Sequence, residues 1–247
     1  TLFPYTTLFR SSLEMEDIVL QLDASLADFF AFLQQSIGLD HCIIALSADH
    51  GGHEVAEHTA TLNLPGQRIE RKVLIPAMNA GLKEKFNVDE LVIGIEAPQV
   101  FLNVPAIKGA KLDEAAVEEA AAAFLREQPG IAFAITRSQI LAGRVPDVPA
   151  IHRLARSFHA TRGGGVLVAE QPFWYFYNGD QSGTHSGPWA YDTFVPIFIA
   201  APGATPQRVA RDVGPEDIAC TIANLLGIMP PAGNVGTVLT EAIPAHN

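Results

Sequence analysis

Two short segments of this chain carry side chains whose types and spacing could do chemistry. The first is Ser47-Ala48-Asp49-His50-Gly51-Gly52, directly after the apolar run Cys42-Ile43-Ile44-Ala45-Leu46. A continuous apolar run of that length is the mark of a strand buried on both faces. In open α/β sheets, ligands bind beyond the carboxyl ends of strands. A carboxylate and an imidazole placed there, followed by two glycines, can turn towards one cation. Asp oxygen with His nitrogen suits Zn²⁺ at roughly 2.0–2.2 Å. Taken alone, the dipeptide also reads as a turn with a capping Asp and an incidental His. The second segment is Gly183-Thr184-His185-Ser186-Gly187, followed by Tyr191-Asp192-Thr193-Phe194-Val195-Pro196. Glycines on either side of a His let backbone approach a ligand closely. By itself this segment reads equally as a surface loop.

The other candidates are weaker. His53 and His58 follow the Asp-His pair and read as polar loop residues at a cleft rim. The run Phe173-Trp174-Tyr175-Phe176-Tyr177 reads as packing against the His185 loop. Arg162-Gly163-Gly164-Gly165 is no nucleotide P-loop: it lacks the Lys-Ser/Thr pair and precedes a strand rather than a helix.

The elements that must position these residues can be read from periodicity. Residues 13–37 carry apolar side chains at helical spacing, and Gly38 ends them. Residues 42–46, 165–170 and 194–200 read as strands of a main sheet. Residues 215–226 read as a helix opened by Pro215 and closed by Gly227. Between 67 and 160 the texture shifts to short mixed pieces. Strand-like runs at 72–75, 90–95, 100–103 and 131–136 alternate with helical ones at 79–86, 113–127 and 150–158. Asp113 is the expected N-cap of 113–127, and Pro129-Gly130 its terminator. This block is expected to form a small α+β lobe inserted between 13–66 and 161–243.

Composition bounds the functions. Of 247 residues 48% are hydrophobic, enough for a sizeable core. Lys and Arg number 16 against 27 Asp and Glu, a net charge of −11 with no basic run. That argues against a nucleic-acid partner. It does not exclude phosphate substrates, because a bound cation inverts the local field. No apolar run is long enough to span a bilayer, and two cysteines are too few for a disulfide scaffold.

Taken in order, the parts make one signature: Asp-His-Gly after a strand, Gly-Thr-His-x-Gly, Tyr-Asp-Thr-x-Val-Pro before a last strand, and Asp217-Ile218-Ala219-x-Thr221-Ile222-Ala223 opening a helix. It resembles the alkaline phosphatase superfamily. The nearest branch is the type I phosphodiesterase/nucleotide pyrophosphatase group, with its periplasmic alkaline phosphatases that use a Thr or Ser nucleophile. The resemblance covers 13–243, strongest at 47–51 and 184–202 and weakest through 67–160. It implies an α/β fold with a doubly wound, mostly parallel sheet flanked by helices, and two Zn²⁺ ions above it. Asp49 and His50 match the pair that holds the ion beside the nucleophile, and His185 matches a ligand of the other ion. The implied reaction is in-line displacement at a phosphate ester, through a covalent phosphoenzyme. The implied location is the periplasm or the exterior.

The departures from the family pattern carry expectations of their own. The Asp-x-x-x-His pair that completes the second ion's ligands should precede a helix like 13–37, and the nucleophile should lie further upstream. Neither is present. Residues 1–12, TLFPYTTLFRSS, lack the features of a signal peptide and read like translated sequencing-adapter sequence. The chain is therefore expected to be a C-terminal fragment, inactive alone. Alternatives are a sulfatase, a phosphoglycerate mutase-like relative, or a non-catalytic α/β module with a vestigial metal site.

Overall fold

The structure, a computed structural model, describes residues 12–179, 184, 185 and 187–244. The expectation for the leader up to residue 11, and those for Gly183 and Ser186, fall outside the described residues. In chain order the first elements are α1 (Leu13–Ser36), β1 (Ile44–Ser47), α2 (Ala56–Thr61), β2 (Arg68–Glu70), α3 (Arg71–Phe86), β3 (Val92–Glu96) and β4 (Gln99–Leu102). Next come α4 (Val104–Gly109), α5 (Glu114–Arg126), β5 (Ile131–Thr136), α6 (Arg137–Leu141) and α7 (Pro149–Arg156). The last are β6 (Val166–Glu170), β7 (Tyr175–Tyr177), α8 (Ala190–Thr193), β8 (Ile197–Ala200) and α9 (Glu216–Leu226). The described residues fall into two compact units. One is built on Gly52–Thr193, the other on Leu13–Gly51 with the segment from Phe194 onward.

The first unit holds the hydrophobic core. Its sheet has the order β3-β4-β6-β5, with every neighbouring pair antiparallel. Successive side chains of β6 point to opposite faces. Val166 and Val168 join a cluster with Leu74, Met78 and Leu82 of α3 and Val117, Ala121 and Leu125 of α5. Leu167 and Ala169 join another with Ile151 and Leu154 of α7. Both faces of β6 are thus covered, which is why all five of its residues are buried. The amide of Asn79 plugs the edge: it donates to the Val92 carbonyl at 2.9 Å and accepts from the Val92 N–H at 2.8 Å. A separate ladder pairs β2 with β7 in parallel, Arg68 opposite Tyr175.

The second unit contains β1 and β8, paired antiparallel with Ser47 opposite Ile197. The carboxyl end of β1 therefore lies beside the start of β8. Asp217 and Thr221 on α9 fasten the last segment of chain. The Asp217 carboxylate accepts from Gly214 N at 2.9 Å and Thr237 N at 2.7 Å, and the Thr221 hydroxyl accepts from Leu239 N at 2.9 Å. Gly227 closes α9 at φ 65, a left-handed conformation open to glycine.

The α/β class stands, and the strand details differ from the sequence reading. Among the described residues only β2 and β7 pair in parallel. The run 165–170, expected in the main sheet, pairs instead with β4 and β5. A continuous apolar run reports two covered faces, and says nothing about the direction or identity of the neighbours. Residues 72–75, expected as a strand, lie inside α3. There Leu74, Met78 and Leu82 recur every fourth residue and are buried together, and that packing outweighs the β-branched run and Pro76. Residues 42–46 were expected to be buried on both faces. Those that form β1 are half-buried or exposed.

Candidate functional site

Asp49 and His50 leave the carboxyl end of β1 as an exposed turn. The Asp49 carboxylate accepts the His50 backbone N–H at 3.0 Å, which sets the carboxylate beside the ring. Nδ1 of His50 lies 2.6 Å from the Gly51 carbonyl. A carbonyl can only accept, so Nδ1 carries the proton and the ring's second nitrogen, Nε2, is the one with a lone pair. Nε2 stands 3.4 Å from Asp49 Oδ2. Two ligand atoms roughly 2.05 Å from one tetrahedral ion lie about 3.3 Å apart. The Nε2–Oδ2 spacing is close to one edge of such a tetrahedron, and a backbone carbonyl fixes the ring in the way common among metal-bound histidines. Among the described residues no group of three or more His, Cys, Asp or Glu is arranged to hold a metal ion. Asp49 and His50 supply two donors.

His185 belongs to the other unit, where it is exposed and precedes α8 by a few residues. The residues around α8 are bonded at several points. Gly187 N donates to Asp192 Oδ2 at 2.8 Å, and the indole of Trp189 donates to the Glu170 carbonyl at 2.9 Å. The Tyr191 hydroxyl accepts from Phe173 N at 2.9 Å, with the two rings stacked at 5.2 Å. Gly52 N donates to the Tyr191 carbonyl at 3.0 Å. Gly52 is two residues past His50, and Gly187 is two residues past His185. The aromatic run 173–177 thus packs on α8 and on His53, whose ring lies 4.5 Å from that of Tyr175.

Sequence reasoning missed the buried polar residues beneath this segment. His53, taken as a rim residue, is 6% exposed, and Glu170 and Asp192 are 5% and 4% exposed. Burial lowers the His53 pKa, against the raising fields of Asp192 and Glu54. Nδ1 of His53 donates to the Glu54 carbonyl, and Nε2 has no hydrogen-bond partner among the described residues. Burial pushes Glu170 up to about 7; the Asp192 charge adds to this, and Arg71 with the N–H groups of Glu170 and Phe176 oppose it. Burial likewise raises Tyr191. No periodic signal could have flagged them: His53 lies outside any element, Glu170 ends a strand buried on both faces, and α8 is only four residues long.

No family model matches the chain. Over 234 residues, 94% of this chain and 42% of the relative, it is 33% identical to a protein named calcium-transporting ATPase from Myroides odoratus. It is 29% identical, over the same share of each chain, to alkaline phosphatase PafA from Elizabethkingia meningoseptica. The crystal structure of wild-type PafA matches with a TM-score of 0.84 at 27% identity, covering 94% of this chain and 44% of that one. The chain spans less than half the length of these relatives. No helix among the described residues is long and apolar enough to cross a membrane. In sequence and in fold, over 94% of its length, the chain is alkaline phosphatase-like.

Proposed function

We propose that this chain supplies the C-terminal part of a Zn²⁺-dependent phosphoric ester hydrolase, exported to the periplasm or beyond. In this reading Asp49 and His50 hold one ion, His185 serves a second, and the nucleophile comes from residues outside this chain. The observation that carries it is the Asp49–His50 pair: Nδ1 is committed to Gly51 and Nε2 sits 3.4 Å from Oδ2. Zn²⁺ bound there would polarise the phosphoryl group and neutralise its charge. The chain's own part is to present those donors. Asp49 contributes carboxylate oxygens, and the Gly51 carbonyl holds the His50 ring in one tautomer.

The test compares the full-length gene product with the 247-residue chain. The full-length protein should hydrolyse p-nitrophenyl phosphate, lose activity to a chelator and regain it with Zn²⁺. His50→Ala should abolish turnover. The isolated chain should show none, because loss of the nucleophile of a covalent mechanism removes many orders of magnitude. Parallel assays with a phosphodiester, a sulfate ester and ATP separate the substrate classes. Chelator-insensitive turnover, or His50→Ala with full activity, would refute the reading.

A further inference from the structure

Asp192 is a buried carboxylate in α8, too far from His185 in sequence to share its turn. Its Oδ2 accepts the Gly187 N–H at 2.8 Å. The approach is close: a Cβ on Gly187 would lie 2.8 Å from that oxygen and 3.1 Å from Cδ1 of Trp189. A side chain at 187 would thus crowd the Asp192 carboxylate and the Trp189 ring, and glycine there leaves room for the bond to Asp192. α8 is itself anchored. The Trp189 indole is held by the Glu170 carbonyl on β6, the Pro188 carbonyl by Arg153 on α7 at 3.2 Å, and the Tyr191 hydroxyl by Phe173 N. The acceptor thus sits on a fixed frame, and a hydrogen bond from an amide to a buried carboxylate is of the stronger, charge-assisted kind.

We propose that Asp192 is a positioning residue for His185: by holding the Gly187 N–H it fixes the backbone two residues past the imidazole, so that His185 is presented to its ion in one orientation. This rests on the metal reading of His185 above. Asp192 need not touch the ion. Outer partners of this kind are worth about tenfold to a hundredfold in metal affinity.

The experiment measures Zn²⁺ affinity of the full-length protein by chelator competition, for the parent, His185→Ala, Asp192→Ala, Asp192→Asn and the His185→Ala/Asp192→Ala double variant. Asp192→Ala should weaken Zn²⁺ about tenfold or more, and Asp192→Asn, which keeps a carbonyl acceptor, should recover most of that. In the His185→Ala background the Asp192 change should add nothing, because a residue acting through His185 has no further effect once the imidazole is gone. A purely structural loss would instead add to it. Amide exchange gives a second readout that survives poor folding of the alanine variant: Gly187 N–H should be protected in the parent and only modestly faster in Asp192→Asn, which keeps the acceptor. A parent that binds no Zn²⁺, or is indifferent to His185→Ala, overturns the metal reading and this proposal with it. A normal loss on His185→Ala with none on Asp192→Ala, additive losses, or an unprotected Gly187 amide overturns the positioning role alone.

Discussion

Replacing Glu170 by Gln should change how the stability of the Gly52–Thr193 unit responds to pH. Glu170 ends β6 with 5% of its surface exposed, and its carboxyl is pushed from 4.5 up to about 7, chiefly by burial. The sign follows from proton counting. Below the unfolded value both states hold the proton and its contribution is fully present. Between 4.5 and about 7 the unfolded chain releases the proton and the folded chain keeps it, so stability falls as pH rises. Above that, the folded protein carries a buried carboxylate beside Asp192. A shift from 4.5 to about 7, at 1.36 kcal/mol per unit, amounts to about 3 kcal/mol. Gln keeps the shape and the oxygen that faces the Phe176 N–H, and cannot ionise. The stability of Glu170→Gln relative to the parent should therefore rise by about 3 kcal/mol between about pH 4 and pH 8.5. Urea unfolding read by tryptophan fluorescence reports on this unit, because Trp174 and Trp189 both lie in it. Any fixed cost of burying the amide cancels in the comparison between pH values. Parent and variant curves that run parallel across this range would show that Glu170 keeps an ordinary pKa, and the burial reasoning would fail.

His53 should show the opposite slope. Its pKa is lowered by burial, so stability is lost as pH falls below 6.5, and His53→Phe should flatten that acid limb in the same assay. Asn79→Ala leaves the buried N–H and C=O of Val92 without their partners, and should cost about 2–5 kcal/mol in urea unfolding. Asp217→Ala should release the segment it holds at Gly214 and Thr237, costing about 1–2 kcal/mol. The Thr237 amide should then exchange much faster, and an unchanged rate would count against the clamp. Leu125→Ala opens a cavity between α5 and the sheet and should cost about 2–5 kcal/mol.

The parts of the fold that were legible in the sequence are those set by local rules. Asp113 caps α5 by accepting from Ala115 N at 3.2 Å, as its position before an Ala-rich run required. Gly38 and Gly227 take positive φ where helices were expected to stop. Residues 131–136 were read to the residue, because the apolar run begins directly after Pro129-Gly130 and ends where Arg137 breaks it. What could not be read was pairing. The β6 run is as apolar as a central parallel strand, yet its partners are antiparallel strands that lie 64–71 and 30–39 positions back in the chain. Nothing local to Val166–Glu170 encodes them. The same holds for 72–75, whose β-branched run lost to a four-residue repeat of buried side chains visible only once α5 is in place.

The candidate site divides along the same line. Asp49, His50 and His185 stand out in the sequence because glycines flank them and the types are those of metal ligands. Their tautomer, spacing and support do not stand out, because these depend on groups brought in by folding. The Gly51 carbonyl that fixes His50 is adjacent and could have been anticipated. Asp192 could not: in sequence it is one acid of a Tyr-Asp-Thr triplet, and only the turn through Pro188 and Trp189 lays its carboxylate on the Gly187 N–H. The glycines tell the same story from the other side. Gly187 and Gly52 read as generic permissive residues. In the structure each donates its N–H to α8, Gly187 to the Asp192 side chain and Gly52 to the Tyr191 carbonyl. A four-residue helix with no amphipathic signal thus receives the N–H groups of both glycines, a role that its own sequence does not announce.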